Sequence, residues 1–84
     1  MMHMLLGNIE PGTTGDEIRD LIMKYGFPAF DDIAFLEGDG SQPAVSLTFN
    51  SIDGAALSSL QSRLHHLYWK NRRLTAVVGR ERFV

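Results

Sequence analysis

Val45, Leu47 and Phe49 alternate with Ala44, Ser46 and Thr48, a period of two that sends successive side chains to opposite faces of a sheet. The spacing predicts a half-buried strand with Val45, Leu47 and Phe49 turned to the core. Elsewhere the period lengthens. Ile18, Leu21, Ile22 and Tyr25 fall at helical spacing and make one apolar stripe. Thr14 and Glu17 ahead of them stand in the reciprocal capping-box register, with Thr13 and Asp16 a less favoured one, and Gly26 is the expected stop. Leu57, Leu60, Leu64 and Leu67 repeat at spacings of three, four and three, which predicts a second helix capped by Ser51 or Asn50, with Ala55 and Ala56 as close-packing residues.

Three further segments read as strands: Leu5-Leu6-Gly7-Asn8-Ile9, then residues 30–36, and last the alternation of Leu74, Ala76 and Val78 after the pattern breaks around Tyr68-Trp69-Lys70-Asn71. Gly38-Asp39-Gly40-Ser41 makes the connection between the second and third strands. The element order is therefore β-α-β-β-α-β, that of a ferredoxin-like α+β sandwich in which a four-stranded antiparallel sheet carries two helices on one face. Right-handed crossovers put both helices on the same side and leave the other sheet face open.

Length and charge refine this picture. A chain of 84 residues suits one domain burying roughly 60% of its extended surface, with a core expected over about residues 4–78 and a short basic tail over 79–84. No run nears the ~20 apolar residues of a membrane span, the apolar start lacks a positively charged leader, and cysteine is absent; together these point to a cytoplasmic address. The net charge of -2 hides a separation: through Ser62 the chain sums to -7, and from Arg63 onward to +5. Clustered cations give salt-dependent affinity for phosphate even in an acidic protein.

Catalysis finds no support. Asp31-Asp32, Glu37 and Asp39 lie near no nucleophile or spaced ligand set, His65 and His66 are adjacent and so diverge on a helix, and no glycine-lysine phosphate grip is present. The expectation is a binding module without metal or cofactor.

Met4-Leu5-Leu6-Gly7-Asn8-Ile9, the Pro11, Thr14, Glu17-Ile18, Leu21-Ile22 and Lys24-Tyr25-Gly26 series, Ile33, the Val45-Leu47-Phe49 alternation, Ala56 with Leu60, and Arg72-Arg73-Leu74 together resemble the RNA recognition motif (RRM) family over residues 4–78. The resemblance implies a sheet face on which one aromatic of strand one and two of strand three stack bases. At the matching positions this chain has Leu5, Ala44 and Ser46, and Gln42-Pro43 stands where the family has a basic residue and glycine. It is a degenerate form.

The candidate surface then consists of Leu5, Leu36, Ala44 and Ser46 as an uncharged platform, Asn8 at the end of strand one, Lys70, Arg72 and Arg73 as a phosphate-binding rim, and Arg80, Arg82 and Phe83 as a basic, aromatic end. Tyr68, Trp69 or Phe83 would supply the missing stack. RNA or single-stranded nucleic acid is the first expected partner. A protein partner or second copy, held on the apolar sheet face or on the acidic first helix through Asp16, Glu17 and Asp20, is the alternative.

Overall fold

The computed structural model describes residues 2–36 and 43–80. Its elements are β1 (Met2–Gly7), α1 (Gly15–Lys24), β2 (Asp32–Leu36), β3 (Ala44–Phe49), α2 (Gly54–Leu64), β4 (Tyr68–Trp69), β5 (Arg72–Arg73) and β6 (Thr75–Gly79). Strands β2, β3, β1 and β6 form, in that order, a four-stranded sheet, and β4 pairs with β5 in a separate hairpin. All pairings are antiparallel. This is the expected sandwich plus one hairpin that the apolar pattern did not announce.

The two helices start where side chains can satisfy the free N–H groups of a first turn. Thr14 and Glu17 form the full capping box, each accepting the other's backbone N–H. For α2 the cap is Asp53, which accepts the Ala56 N–H at 2.8 Å, and not Ser51 or Asn50. The first helix ends at Tyr25, followed by Gly26 at φ 95°, a backbone setting that glycine adopts without strain. The second ends at Leu64, so Leu67 lies past it, and His66 takes the left-handed turn at φ 68°. Ala55 and Ala56 are exposed, not packed.

Alternation holds in the sheet. Met4 and Leu6 of β1, Val45, Leu47 and Phe49 of β3 and Ala76 of β6 face Ile18, Leu21 and Ile22 of α1 and Leu57 and Leu64 of α2, and all belong to one buried cluster. Phe27 joins it against Phe49, ring centroids 6.2 Å apart. Tyr25 and Trp69 pack on its margin. The sheet runs past the expected core at both ends, to Met2 and to Gly79. Strand one is correspondingly displaced: it stops at Gly7, and Asn8 turns left-handed at φ 58°. Strand two is shorter than expected, beginning at Asp32.

Side chains of α2 reach the outer edge of β6. The Ala76 N–H donates to His65 Nδ1 at 3.1 Å, and the Gln61 side-chain amide donates to the Ala76 carbonyl. The backbone groups that an edge strand would leave facing water are thus satisfied at Ala76, in the middle of the strand.

Candidate nucleic-acid interface

The sheet face away from the helices can be read row by row from the strand register. Ala34 pairs with Ser46, Ser46 with Leu5, and Leu5 with Val77, which makes a central row across all four strands. At one end Leu36 pairs with Ala44, and Gly7 with Thr75. At the other, Asp32 pairs with Thr48, Thr48 with His3, and His3 with Gly79. Leu5, Leu36, Ala44 and Ser46, expected as the platform, therefore do share one face.

Their accessibility differs. Val77 is 48% exposed while Ser46 retains only 2% of its surface, so the usable part of the central row is Ala34, Leu5 and Val77 around a closed serine. His3 and Thr48 are also buried, and His3 Nδ1 lies 3.0 Å from Thr48 Oγ1. The apolar pattern starts strand one at Leu5 and so leaves this polar pair out. Its signal was present, since His3 is two residues from Leu5 and shares its face.

The hairpin stands beyond the Gly7–Thr75 end. Tyr68 pairs with Arg73 and Trp69 with Arg72, around Lys70 and Asn71 at φ 52° and 64°. Two left-handed central residues are the requirement of a type I′ turn, whose twist matches that of its flanking strands. The hairpin is fixed to the sheet at its base: Asn8 Nδ2 donates to the Arg73 carbonyl at 2.9 Å, Arg72 Nη1 donates to Asn8 Oδ1 at 3.3 Å, and Leu74 N–H donates to the Leu67 carbonyl at 2.8 Å. Asn8 is thus a clamp between the end of β1 and β5.

The cations divide accordingly. Arg72 and Arg73 sit on the hairpin's second strand, next to the sheet. Lys70 turns the other way: its ammonium pairs with Glu17 of α1 and lies 5.2 Å from the centre of the Trp69 ring. That ammonium, with the Thr14 backbone N–H, holds the Glu17 carboxyl below the usual carboxylate range. Trp69 is partly buried against the core, whereas Tyr68 is 66% exposed. Between α1 and the hairpin runs a groove of about 420 Å³ whose lining includes Leu21, Tyr25, Leu67, Tyr68 and Trp69 together with Asp20 and Lys24. Arg80 follows β6 at the opposite end of the sheet, exposed, beside Met2 and Asp53. Arg82 and Phe83 lie outside the described residues.

The other titratable groups build no centre. Asp31 accepts the Asn50 N–H at 2.7 Å and Asp32 the Ile33 N–H at 2.9 Å. His65 and His66 lie past the end of α2 and do not diverge as on a helix: their rings stack at 4.0 Å. Among the described residues no three His, Cys, Asp or Glu side chains gather as metal ligands, and no helix is long and apolar enough to cross a membrane.

No family model and no curated protein sequence matches this chain. Solved structures do. The third RRM of Pes4 superposes with a TM-score of 0.75 at 15% identity, covering 96% of this chain and 94% of that one. The third RRM of Mip6 gives 0.74 at 18% identity over 93% and 92%. An Rna15 RRM, solved with bound RNA (GU), gives 0.70 at 17% identity over 94% and 83%. At this identity the likeness speaks for backbone architecture, which is the layer of the resemblance that the sequence motifs carried. The chain has an RRM-like fold, with Leu5, Ala44 and Ser46 where the resemblance calls for stacking aromatics.

Proposed function

We propose that this domain binds RNA or another single-stranded nucleic acid across its helix-free sheet face, without catalysis. The observation that carries the reading is the face itself: a row of small and aliphatic side chains, Ala34, Leu5 and Val77, on the side of the sheet away from the helices. In this reading Arg72 and Arg73, ahead of Thr75, and Arg80, after Gly79, supply cations at the two ends of β6, ends that are themselves about 14 Å apart at ~3.4 Å per residue. A base laid on the aliphatic row removes apolar surface from water, while its phosphates meet guanidinium groups at the ends. The Rna15 RRM solved with bound RNA supports the same use of the fold. Arg82 and Phe83 extend the basic end in this reading, and a cytoplasmic location accompanies it. Residues 1–84 act as one module.

Without aromatic stacks on the strands, affinity rests on phosphate contacts to a greater extent and falls steeply with salt. An NMR titration with short mixed single-stranded RNA at low and then near-physiological salt tests this. Salt-sensitive shifts at Leu5, Ala34, Ala44, Val77, Arg72 and Arg73 are expected; a sheet face that stays silent at high RNA concentration overturns the reading.

The groove between α1 and the hairpin favours a second reading, a protein-binding module, because apolar side chains and charges of both signs line it together. A second copy on the sheet face belongs to the same alternative. Self-association that Leu5→Ser and Leu36→Ser abolish without unfolding the chain would select it.

A further inference from the structure

We propose that Tyr68 and Arg73 form a nucleotide subsite that continues the sheet face beyond Thr75, taking one unpaired base on the phenol ring and its phosphate on the guanidinium. The inference rests on the nucleic-acid reading above and assigns it a stacking group. Three observations carry it. First, the side of the chain on which Arg73 stands follows from alternation: Leu74 and Ala76 are buried in the core, so Arg73, Thr75 and Val77 project to the opposite side, that of the open face. Tyr68 is the cross-strand partner of Arg73 and shares its side of the hairpin.

Second, the ring is presented and not hidden. Tyr68 is 66% exposed, more than Met23, Phe35 or Val77 among the exposed large apolar residues, while its neighbour Trp69 is turned inward. The Arg73 guanidinium lies 5.8 Å from the ring centre, which places a delocalised cation beside the phenol. Third, the pair is held before any ligand arrives. The two-residue turn fixes the hairpin, and the Asn8 amide is bonded to the Arg73 carbonyl itself. An ordered aromatic loses little freedom on stacking, so more of the contact is retained as affinity.

A Tyr–Arg cross-strand pair is also what a solvent-facing hairpin uses for its own stability, and that role would leave binding untouched. The experiment therefore separates binding from folding. Fluorescence anisotropy with a labelled mixed-sequence RNA hexanucleotide is measured at several salt concentrations for the wild type and for Tyr68→Ala, Tyr68→Phe, Tyr68→Leu, Arg73→Gln and Leu5→Asp, with melting points alongside. Tyr68→Ala is expected to weaken binding about tenfold with little change in its salt dependence, the scale of one lost base–aromatic stack. Tyr68→Phe stays close to wild type, and Arg73→Gln lowers the salt slope by about 0.7, one phosphate contact on a single strand. The Tyr68 ring protons move upfield when RNA is added, as stacking under a base requires.

If Tyr68→Ala lowers the melting point, Tyr68→Leu replaces it, since leucine keeps apolar bulk and lacks a π-face; leucine binding as well as phenylalanine overturns the proposal. So does wild-type affinity in Tyr68→Ala when Leu5→Asp still abolishes binding, a result that leaves the sheet reading intact. A duplex bound as tightly as the single strand overturns the unpaired-base requirement. No binding by the wild type at low salt removes the sheet reading and this subsite together.

Discussion

Single residues set the strain and the close approaches on which the sheet and its hairpin depend. Asn71 holds φ 64° at the second central position of the hairpin turn, where a side chain without a local hydrogen-bonding group crowds the backbone. Asn71→Val is expected to cost about 1–2 kcal/mol, read as a lowered urea midpoint at unchanged slope, whereas Asn71→Gly holds or raises stability. Gly7 is a different case, one of space. A Cβ there would come within 2.6 Å of the Thr75 hydroxyl, so Gly7→Ala alone should destabilise by about 1 kcal/mol, the lower end for an overfilled site. Combining it with Thr75→Ala should restore most of the loss in a double-mutant cycle. The glycine was visible in the sequence as part of a motif, but its reason was not: that depends on Thr75 lying opposite, a pairing of residues far apart in the chain. Nor did anything in Tyr68-Trp69 say which ring faces water. Hairpin register decides it.

At the scale of elements, caps and periodicity were legible where the signal is local and failed where it continued past the element. Thr14 and Glu17 were readable because both partners of the box lie within four residues. Asp53, Ser51 and Asn50 are equally good caps by residue type, and only the geometry of the turn shows which oxygen reaches the Ala56 N–H. Asp53→Ala is expected to lower stability by about 1 kcal/mol, and Asp53→Ser by much less, measured by thermal unfolding. The leucine series ran on to Leu67 because no glycine or proline marks the end of α2; His66 makes the left-handed turn instead.

The contact between α1 and the hairpin adds a pH signature. Glu17 has its carboxyl held below the ordinary value by Lys70, so it binds protons less readily folded than unfolded. Its contribution to stability is complete above the ordinary carboxylate range and is lost as pH falls through the lowered folded value. Melting points measured from neutral pH down into acid should therefore drop less steeply in Glu17→Gln than in the wild type. The group is solvent-exposed, so the difference fades in high salt.

For the whole molecule, one core on one face of one sheet does the folding. Phe49 is fully buried between Phe27 and the rest of the cluster, and Phe49→Ala is expected to cost about 3–5 kcal/mol. Against the roughly 5–15 kcal/mol that a domain has in total, that is enough to leave a large unfolded fraction, visible as lost amide dispersion. The architecture was legible in the sequence because two periods, 2.0 and 3.6, alternate cleanly along it. The interface was legible only in part. Parity placed Leu5, Leu36, Ala44 and Ser46 together, yet burial of Ser46, the inward turn of Lys70 and the prominence of Tyr68 arise from contacts between distant segments.

The capped strand has a consequence for how copies of this chain meet. A sheet with two bare edges can add neighbours on both sides without limit, which is how fibres grow. Here Gln61 and His65 occupy the β6 side at Ala76, so a strand arriving there must first displace two side-chain hydrogen bonds.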